Sequence, residues 1–332
     1  MKINKFPSEI YQSCLDFGLL EPSEGFTQKK ITTGVSSDIW YVETKKKKFC
    51  IKRALNKLTV KEDWFAPVDR NNFEAKYFKE CKKIVPNSFP RILGHDSKKY
   101  ILAMQWYDND KYLVWKNKLL NDHVSNREAH MVARILIKIH NFFYGKKKFE
   151  KKFLNDKTFH AIRIEPYILF TSNSYPQFKK NFTSVANSLV RNKKTLIHGD
   201  FSPKNILLGK SYPVILDAET ACWGDPVFDL AFCLNHIVLK SIYKNNKIKY
   251  LELGKNFIET YLKYLNYEKV DSFLHRFFSI LPLFILARID GKSPVEYFNE
   301  KHKQCARNFG IGLLSIKKIE LSNFFEEWNK HL

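Results

Sequence analysis

The sequence predicts an α+β fold with two lobes: a small, strand-rich amino-terminal lobe with one main helix, and a larger, mostly helical carboxyl-terminal lobe. Short strand-like runs separated by turn residues fill the chain up to residue 104, whereas long segments with helical spacing dominate from residue 126. With 332 residues, of which 44 % are hydrophobic, the chain can bury a large core. We therefore predict lobes at residues 1–104 and 105–332.

The amino-terminal lobe should contain a first helix, a sheet of short strands and one main helix. A turn is expected over residues 34–38, and the lysine run 45–48 is typical of a hairpin tip. The predicted helices cover residues 8–20 and 71–83, and the predicted strands cover residues 28–33, 39–43, 49–54, 90–93 and 100–104.

The carboxyl-terminal lobe should begin with a long amphipathic helix over residues 126–143. Short strand-like runs with loops between them follow at residues 195–198, 205–208 and 214–216. From Pro226 onward the spacing of apolar residues is helical almost throughout.

The composition gives a strongly basic chain without a nucleic-acid motif. The net charge is +22, from 56 Lys and Arg against 34 Asp and Glu. Because lysines occur in short runs such as 45–48 and 146–148, we interpret the charge as solvated surface plus a general compositional bias, with some attraction for an anionic nucleotide. A nucleic-acid-binding protein is the alternative, but no DNA- or RNA-binding motif accompanies the charge, so we expect no specific nucleic-acid partner.

Cysteine spacing and apolar segments predict a cytoplasmic protein without a membrane partner. The first seven residues contain no apolar signal core. The longest apolar run, 277–287, contains Ser279 and Pro282 and is too short to span a bilayer, so it predicts a buried helix. The six cysteines form no C-x-x-C pair, which argues against a disulfide framework or a zinc site; they are Cys14, Cys50, Cys81, Cys222, Cys233 and Cys305.

The strongest signal is a polar run between two predicted strands, His198-Gly199-Asp200-Phe201-Ser202-Pro203-Lys204-Asn205, followed by Asp217-Ala218-Glu219. The spacing His-x-Asp-x-x-x-x-Asn with a later Asp is that of a kinase catalytic loop. Phosphoryl transfer needs one carboxylate that orients the attacking hydroxyl, together with oxygen ligands that hold Mg²⁺ on the phosphates. The alternative is a polar turn in which Asp200 only caps the chain. Four required residues at matching offsets favour the catalytic interpretation.

A lysine and a glutamate upstream provide the expected phosphate-binding pair. The alternation of residues 49–52 directs Lys52 away from its core-facing neighbours and toward a cleft. Glu74, on the next helix, is the expected partner of Lys52, while Glu80 and Asp69 are weaker alternatives. One lysine in a lysine-rich chain is more often a surface residue, so this assignment depends on the downstream loop.

The remaining nucleotide contacts are expected from backbone groups. The turn that begins at Gly34 has only one glycine, but its N–H groups, including those of Ser36 and Ser37, can cradle the terminal phosphates. The purine-contacting hinge is expected at Met104, Gln105 and Trp106.

These motifs resemble the aminoglycoside phosphotransferase and choline kinase superfamily. The matching pieces are residues 198–205, 216–219 and 224–231, and the resemblance spans most of the chain. It implies a protein-kinase-like fold with ATP between the lobes and transfer of the γ-phosphoryl group to the hydroxyl of a small molecule.

The resemblance also implies roles for individual residues. Asp200 would be the catalytic base, Asn205 and Asp217 would bind Mg²⁺, His198 would brace the loop, and Asp229 would anchor it. Glu219 either holds a second metal ion through water or makes a hydrogen bond that shapes the loop, and both roles stay open. Asp225 before Pro226 is expected to start a helix, and His140 to be a satisfied core histidine.

The acceptor should lie between the catalytic loop and the helices around it. Arg163 and Arg288 stand in apolar runs and need an anionic partner, which is either a protein carboxylate or a substrate anion. Aminoglycosides would need an acidic pocket and choline an aromatic cage, and no acidic clusters are evident in this basic lobe. Asn205 argues against a methylthioribose kinase, whose motif lacks the loop Asn. The candidate contacts are His160, Arg163, Tyr167, Trp223, Arg288 and Asp290.

Two alternatives to a small-molecule kinase remain. A protein Ser/Thr kinase needs a long activation segment after the metal-binding Asp, but the predicted helix start at Asp225 leaves no room for one. An inactive nucleotide-binding scaffold should lack at least one of Lys52, Asp200, Asn205 and Asp217, and all four are present.

Overall fold

The computed structural model describes residues 6–32, 36–59, 64–244 and 247–331. Its amino-terminal part is built on an antiparallel sheet of five strands in the order β1-β2-β3-β5-β4. Helix α1 covers one face of the sheet, and helix α2 follows β3 in the chain. The elements are α1 Ser8–Asp16, β1 Phe26–Ile31, β2 Ser37–Thr44, β3 Lys48–Ala54, α2 Arg70–Cys81, β4 Ile92–Asp96 and β5 Ile101–Gln105.

Alternation along the strands gives this sheet two different faces. Phe49 and Ile51 of β3 join a small core with α1, whereas Cys50 and Lys52 point to the opposite face, where the larger core begins. The register pairs Lys52 with Leu102 of β5, so Lys52 lies in the middle of the sheet. The predicted direction of Lys52 is therefore confirmed.

The predicted element types in this part are confirmed, with local differences. The first helix ends at Asp16, four residues earlier than predicted. The prediction of a turn over residues 34–38 is wrong at Ser37 and Asp38, because both residues lie at the start of β2 and pair with β3. Gly34 lies outside the described residues.

The carboxyl-terminal part is larger and mostly helical. Strand β7 pairs with β10, and β8 lies between β6 and β9. The short strands are β6 Leu113–Val114, β7 Thr195–Ile197, β8 Ile206–Leu208, β9 Pro213–Ile215 and β10 Cys222–Gly224. The helices are α3 Trp115–Leu120, α4 Asn126–Phe143, α5 Lys147–Lys152, α6 Asp156–Phe159, a wider π-helical segment His160–Leu169, α7 Phe170–Ser172, α8 Lys179–Arg191, α9 Val227–Tyr243, α10 Lys247–Lys263, α11 Val270–Asp290, α12 Glu300–Ser315 and α13 Leu321–Lys330.

Helix α11 is the one helix among the described residues that is long and apolar enough to cross a membrane. It packs against α9 and α12, and side chains such as Phe277, Leu281 and Phe284 are fully buried. The predicted buried helix is therefore present, and it extends beyond the apolar run 277–287.

Candidate active site

The loop between β7 and β8 is held in place from α9. The carboxylate of Asp229 accepts the backbone N–H of His198 at 2.6 Å and that of Gly199 at 2.8 Å, with one oxygen for each. Gly199 has φ +75°, and a Cβ there would lie 2.6 Å from the Thr220 carbonyl oxygen. Only glycine fits this turn, which brings Asp200 to the end of the strand.

His198 braces the same loop as a neutral imidazole. Its Nδ1 accepts the backbone N–H of Asp200 at 3.1 Å, and its Nε2 lies 3.0 Å from the Leu216 carbonyl oxygen, which assigns the proton to Nε2. Burial lowers the pKa of His198, and the nearby Asp229 offsets only part of this effect. The ring therefore joins the Asp200 loop to the strand that leads to Asp217.

Asp200 is buried and contacts two cations. Its Oδ2 lies 3.0 Å from Nη2 of Arg163 and 3.0 Å from Nζ of Lys204. Arg163 also donates to the Gly199 carbonyl oxygen, so its guanidinium binds both the loop backbone and the Asp200 carboxylate. Both cations meet the same oxygen, which fixes the orientation of the Asp200 carboxylate.

Lys52, Glu74 and Asp217 form a second charged group. Nζ of Lys52 lies 2.7 Å from Glu74 Oε2 and 2.9 Å from Asp217 Oδ1. The Glu74 contact has the distance of an ion pair without the angles of a hydrogen bond. Burial acts to lower the pKa of Lys52, but Asp217 and Glu74 outweigh it and raise that pKa. Burial raises the pKa of Glu74 to about 7, against the opposing effect of Lys52.

Asp217 adopts a backbone conformation that is uncommon for a residue other than glycine. Its φ is +61°, in the left-handed region, where strained residues cluster at functional sites. Burial opposes ionisation, but Lys52 and Lys204 outweigh it and hold the pKa of Asp217 below its ordinary value. Asp217 is therefore an ionised carboxylate at the end of β9, with about a third of its side chain exposed.

Two oxygen donors beside the catalytic loop fit a magnesium ion. Asn205 donates its Nδ2 to the Asp200 carbonyl oxygen at 3.0 Å, which leaves its amide oxygen available as a ligand. With the Asp217 carboxylate, this gives the hard oxygen donors that Mg²⁺ prefers. No group of three or more His, Cys, Asp or Glu in the described part of the chain could hold a metal. A two-ligand site completed by phosphates and water suits Mg²⁺.

Glu219 has a protein partner that the sequence did not indicate. Its Oε2 accepts from Nε of the fully buried Arg70 at 3.1 Å. Arg70 also donates to the carbonyl oxygens of Ser36, Leu55 and Pro67. The structure thus contains the loop-shaping hydrogen bond that was one of the two open roles of Glu219.

The residues predicted to contact the nucleotide differ in their burial and in their neighbours. Ser36 precedes β2, whereas the Ser37 hydroxyl is buried and has no hydrogen-bond partner within the described part of the chain. Met104 is paired with Cys50 on the Lys52 face of the sheet. Gln105 is exposed, and its N–H donates to the Arg91 carbonyl oxygen at 2.9 Å. Trp106 packs on Tyr41, with 4.6 Å between the ring centroids.

Three of the six predicted acceptor contacts are connected to Asp200, one directly and two through it. Arg163 pairs with that carboxylate, so its anionic partner is a protein group. The Tyr167 ring lies 5.6 Å from the Arg163 guanidinium, and the Tyr167 hydroxyl lies 3.4 Å from Nη1 of Arg288. These three residues connect the π-helical segment, the catalytic loop and α11.

The other three predicted contacts are placed elsewhere. His160 and Trp223 line a cavity of about 440 Å³, whose lining includes neither Asp200 nor Asp217. Asp290 accepts from the Tyr175 hydroxyl and from two nitrogens of Arg307, at 2.8 and 2.9 Å. Protein groups therefore engage Asp290, and its contact with an acceptor stays a prediction.

Asp225 and His140, which were expected to have structural roles, both contact other protein groups. Asp225 accepts the backbone N–H of Val227 at 3.3 Å, at the start of α9, and pairs with Arg276 at 2.8 Å. His140 is buried, with Nδ1 2.6 Å from the Tyr261 hydroxyl and Nε2 3.3 Å from Asp229. His140 thus contacts the loop anchor Asp229, whereas Asp225 joins the start of α9 to Arg276 on α11.

Sequence reasoning missed three cations around this site. Lys204 belongs to the motif itself, four residues after Asp200, and that spacing could have indicated the ion pair. Arg70 starts α2 and Lys240 lies within α9, both buried. A basic residue in an apolar stretch was the available signal for Lys240, whereas nothing local distinguishes Arg70.

Comparison with known proteins now assigns the family. The family model described as the phosphotransferase enzyme family matches residues 27–254, which is more than half of the chain. The chain belongs to the phosphotransferase enzyme family. The predicted superfamily and the predicted enzyme class, phosphotransferase, are thereby confirmed. A methylthioribose kinase from Bacillus cereus is 21 % identical to this phosphotransferase over 296 residues, covering 79 % of this chain and 74 % of the relative.

Solved structures show the same fold at low sequence identity. An aminoglycoside phosphotransferase from Alicyclobacillus acidocaldarius matches with a TM-score of 0.57 and 10 % identity, over 99 % of this chain and 97 % of the other. A choline kinase from Streptococcus pneumoniae matches with a TM-score of 0.52 and 15 % identity, over 93 % and 99 %. The phosphotransferase thus has the protein-kinase-like α+β fold that the sequence predicted.

Proposed function

We propose that this phosphotransferase is an ATP- and Mg²⁺-dependent small-molecule kinase, which transfers the γ-phosphoryl group of ATP to a hydroxyl of a small acceptor. The observation that carries the proposal is the convergence of two charged groups. Lys52 contacts Asp217 at 2.9 Å, and the Asp217 strand is tied through His198 to the loop that holds Asp200. A phosphate-binding cation, a metal-binding carboxylate and a hydroxyl-orienting carboxylate are the parts that phosphoryl transfer requires.

Each side chain has a definite task in this proposal. Lys52, fixed by Glu74, binds phosphate oxygens of the nucleotide. Asn205 and Asp217 hold Mg²⁺, which neutralises charge on the phosphates when bound. Asp200 orients the acceptor hydroxyl and accepts its proton, with its carboxylate held by Arg163 and Lys204.

The proposal favours a small acceptor over a protein substrate. Helix α9 begins at Val227, so only residues 218–226 lie between Asp217 and that helix, and residues 222–224 of this segment form β10. A protein kinase needs a longer segment there to support a peptide. An inactive scaffold is disfavoured because Lys52 and Asp217 are in contact and Asp200 is present.

The state of the cysteines supports a proposal for the cellular compartment. The six cysteines are free, which fits a reducing compartment, and we propose a cytoplasmic enzyme whose partners are nucleotide and acceptor.

An ADP-release screen tests the proposal. The protein is given Mg·ATP with methylthioribose, choline, ethanolamine, aminoglycosides, hydroxy acids and sugar phosphates, and Asp200→Ala serves as the control. We expect acceptor-dependent ADP release that falls by at least about a thousandfold in Asp200→Ala, while calorimetry shows similar nucleotide affinity. Turnover that survives in Asp200→Ala, or failure of the wild-type protein to bind Mg·ATP, would contradict the proposal.

A further inference from the structure

Two cations of the carboxyl-terminal part, Arg288 and Lys240, have no carboxylate partner among the described residues. Nη1 of Arg288 donates to the carbonyl and hydroxyl oxygens of Ser293 and approaches the Tyr167 hydroxyl at 3.4 Å. Its Nε is buried and makes no hydrogen bond to any residue that the structure describes. Within residues 6–32, 36–59, 64–244 and 247–331, no carboxylate lies within ion-pair distance of Arg288.

Lys240 is the second of these cations, and it is only 1 % exposed. Its Nζ lies 3.2 Å from the His236 carbonyl oxygen and 5.5 Å from the centroid of the Tyr297 ring. No ion pair of Lys240 with a carboxylate occurs in the described part of the chain. The buried hydroxyl of Tyr297 has no hydrogen-bond partner among the described residues either. A buried ammonium group without an anion is unfavourable, so Lys240 either releases its proton or is stabilised as a cation by an anionic partner.

Three other arginines of the same lobe that are at least partly buried have carboxylate partners. They are Arg163 with Asp200, Arg276 with Asp225 and Glu268, and Arg307 with Asp290. Among the described residues, Arg288 and Lys240 differ from these three because no carboxylate pairs with them.

The charge of Arg288 affects the pKa of two neighbouring side chains, Lys240 and Tyr167. Burial, Lys116 and Arg288 together lower the pKa of Lys240 to about 7. Burial acts to raise the pKa of Tyr167, but Arg288 and Arg163 outweigh it and lower that pKa. The charge of Arg288 thus lowers the pKa of both Lys240 and Tyr167.

The contacts of Arg288 show where it lies relative to Asp200. Tyr167 is the bridge, since its hydroxyl meets Arg288 and its ring meets the Arg163 guanidinium, whose Nη2 lies 3.0 Å from Asp200. Lys52 and Asp217, which belong to the nucleotide side, take no part in these contacts. Arg288 therefore lies on the acceptor side of the catalytic base. Lys240 is linked to Arg288 through the segment after α11, because the Val295 N–H donates to the Arg288 carbonyl oxygen at 2.8 Å and Tyr297, two residues later, contacts Lys240.

We propose that the acceptor is a small hydroxyl compound that carries an anionic group, a carboxylate or a phosphate ester, which binds to Arg288 with support from Lys240. The inference rests on the proposed kinase function and specifies its acceptor. An anionic group would supply the partner that both cations lack, and its binding would place the hydroxyl of the same compound toward Asp200. Cationic acceptors such as choline and aminoglycosides would be repelled by the same two cations.

The test uses the full chain saturated with Mg²⁺ and a non-hydrolysable ATP analogue, which fills the nucleotide phosphate site. Four probes with the same three-carbon skeleton are then titrated by calorimetry: glycerate, glycerol 3-phosphate, glycerol and 3-amino-1,2-propanediol. We expect binding of one or both anionic probes and weaker or no binding of the other two. The two anionic probes distinguish a carboxylate from a phosphate ester.

Variants show whether the binding occurs at the proposed residues. Arg288→Gln should weaken anion binding by about 10- to 100-fold, the effect of one or two charged hydrogen bonds. The matched control is Arg134→Gln, which removes an arginine that stacks on Tyr264 without a carboxylate partner in the described structure; it should leave the affinity unchanged. Lys240→Met provides a second variant and should weaken anion binding without unfolding the protein.

The outcomes separate this inference from the kinase proposal. Anion binding that persists in Arg288→Gln, equal or tighter binding of the neutral or cationic probe, or no response to either anion overturns the inference. Normal binding of the ATP analogue in these experiments leaves the kinase proposal standing, whereas failure of the analogue to bind counts against the kinase function itself.

Discussion

Replacing the buried Lys240 with methionine should stabilise the ligand-free protein, although the change removes a charged residue from a proposed binding site. Methionine has a similar length and fills the same space among apolar neighbours on α9. The gain arises because the wild-type protein must either bury an unpaired ammonium group or release its proton on folding.

The size of the effect follows from the pKa of Lys240. Burial, with smaller contributions from Lys116 and Arg288, lowers this pKa from 10.5 to about 7. At about 1.4 kcal/mol per pKa unit, the wild-type protein loses roughly 3–5 kcal/mol of unfolding free energy to this group. Because the folded pKa is below the unfolded one, stability is lost as the pH falls from about 10.5 through 7, and the loss is complete below that range.

The assay is urea unfolding of both proteins at about pH 6 and about pH 10, without nucleotide or acceptor. Lys240→Met should be more stable by roughly 3–5 kcal/mol at the lower pH, and the difference should shrink at the higher pH. Lys263→Met, an exposed substitution on α10 with the same loss of charge, should change stability by less than about 0.5 kcal/mol. A destabilised Lys240→Met protein, or a difference that does not depend on pH, would refute this reasoning.

Two further predictions concern the proposed metal site and the buried Arg70–Glu219 ion pair. Asp217→Asn should abolish the gain in ATP affinity that Mg²⁺ gives the wild-type protein, because it removes the ionised metal ligand; calorimetry with and without Mg²⁺ measures this, and a retained Mg²⁺ effect counts against the assignment. Arg70→Met should lower the unfolding free energy by roughly 3–5 kcal/mol, because it leaves Glu219 buried and unpaired, and adding Glu219→Gln should recover part of the loss in urea unfolding. A loss below about 1 kcal/mol would mean that the Arg70–Glu219 pair is not a significant source of stability.

The grouping of the proposed catalytic residues was predictable because their signal is local. Asp200 and Asn205 lie within one short loop, and the spacing of that loop is dictated by the geometry of phosphoryl transfer. Lys52 was predictable from the alternation of β3, since a period of two assigns opposite faces to neighbouring residues. The turn at residues 34–38 was less accurate, because Ser37 and Asp38 are recruited into the sheet by pairing with β3.

The acceptor side was predicted less well because its residues come from distant elements. His160 and Trp223 line a separate cavity, and Asp290 pairs with Arg307. The π-helical segment has no clear sequence signature, yet it sets the directions of His160 and Arg163. One residue points to the surface cavity and the other to Asp200.

The sequence by itself determined the fold class and the chemical groups of the reacting centre, because strand alternation, helical spacing and the catalytic loop are short-range patterns. Only the tertiary structure decided which charges meet. It paired Arg163 with Asp200 and Arg70 with Glu219, and among the described residues it left Arg288 and Lys240 without carboxylates. Burial makes each of these pairings, or its absence, energetically important, and burial depends on the packing of elements far apart in the chain.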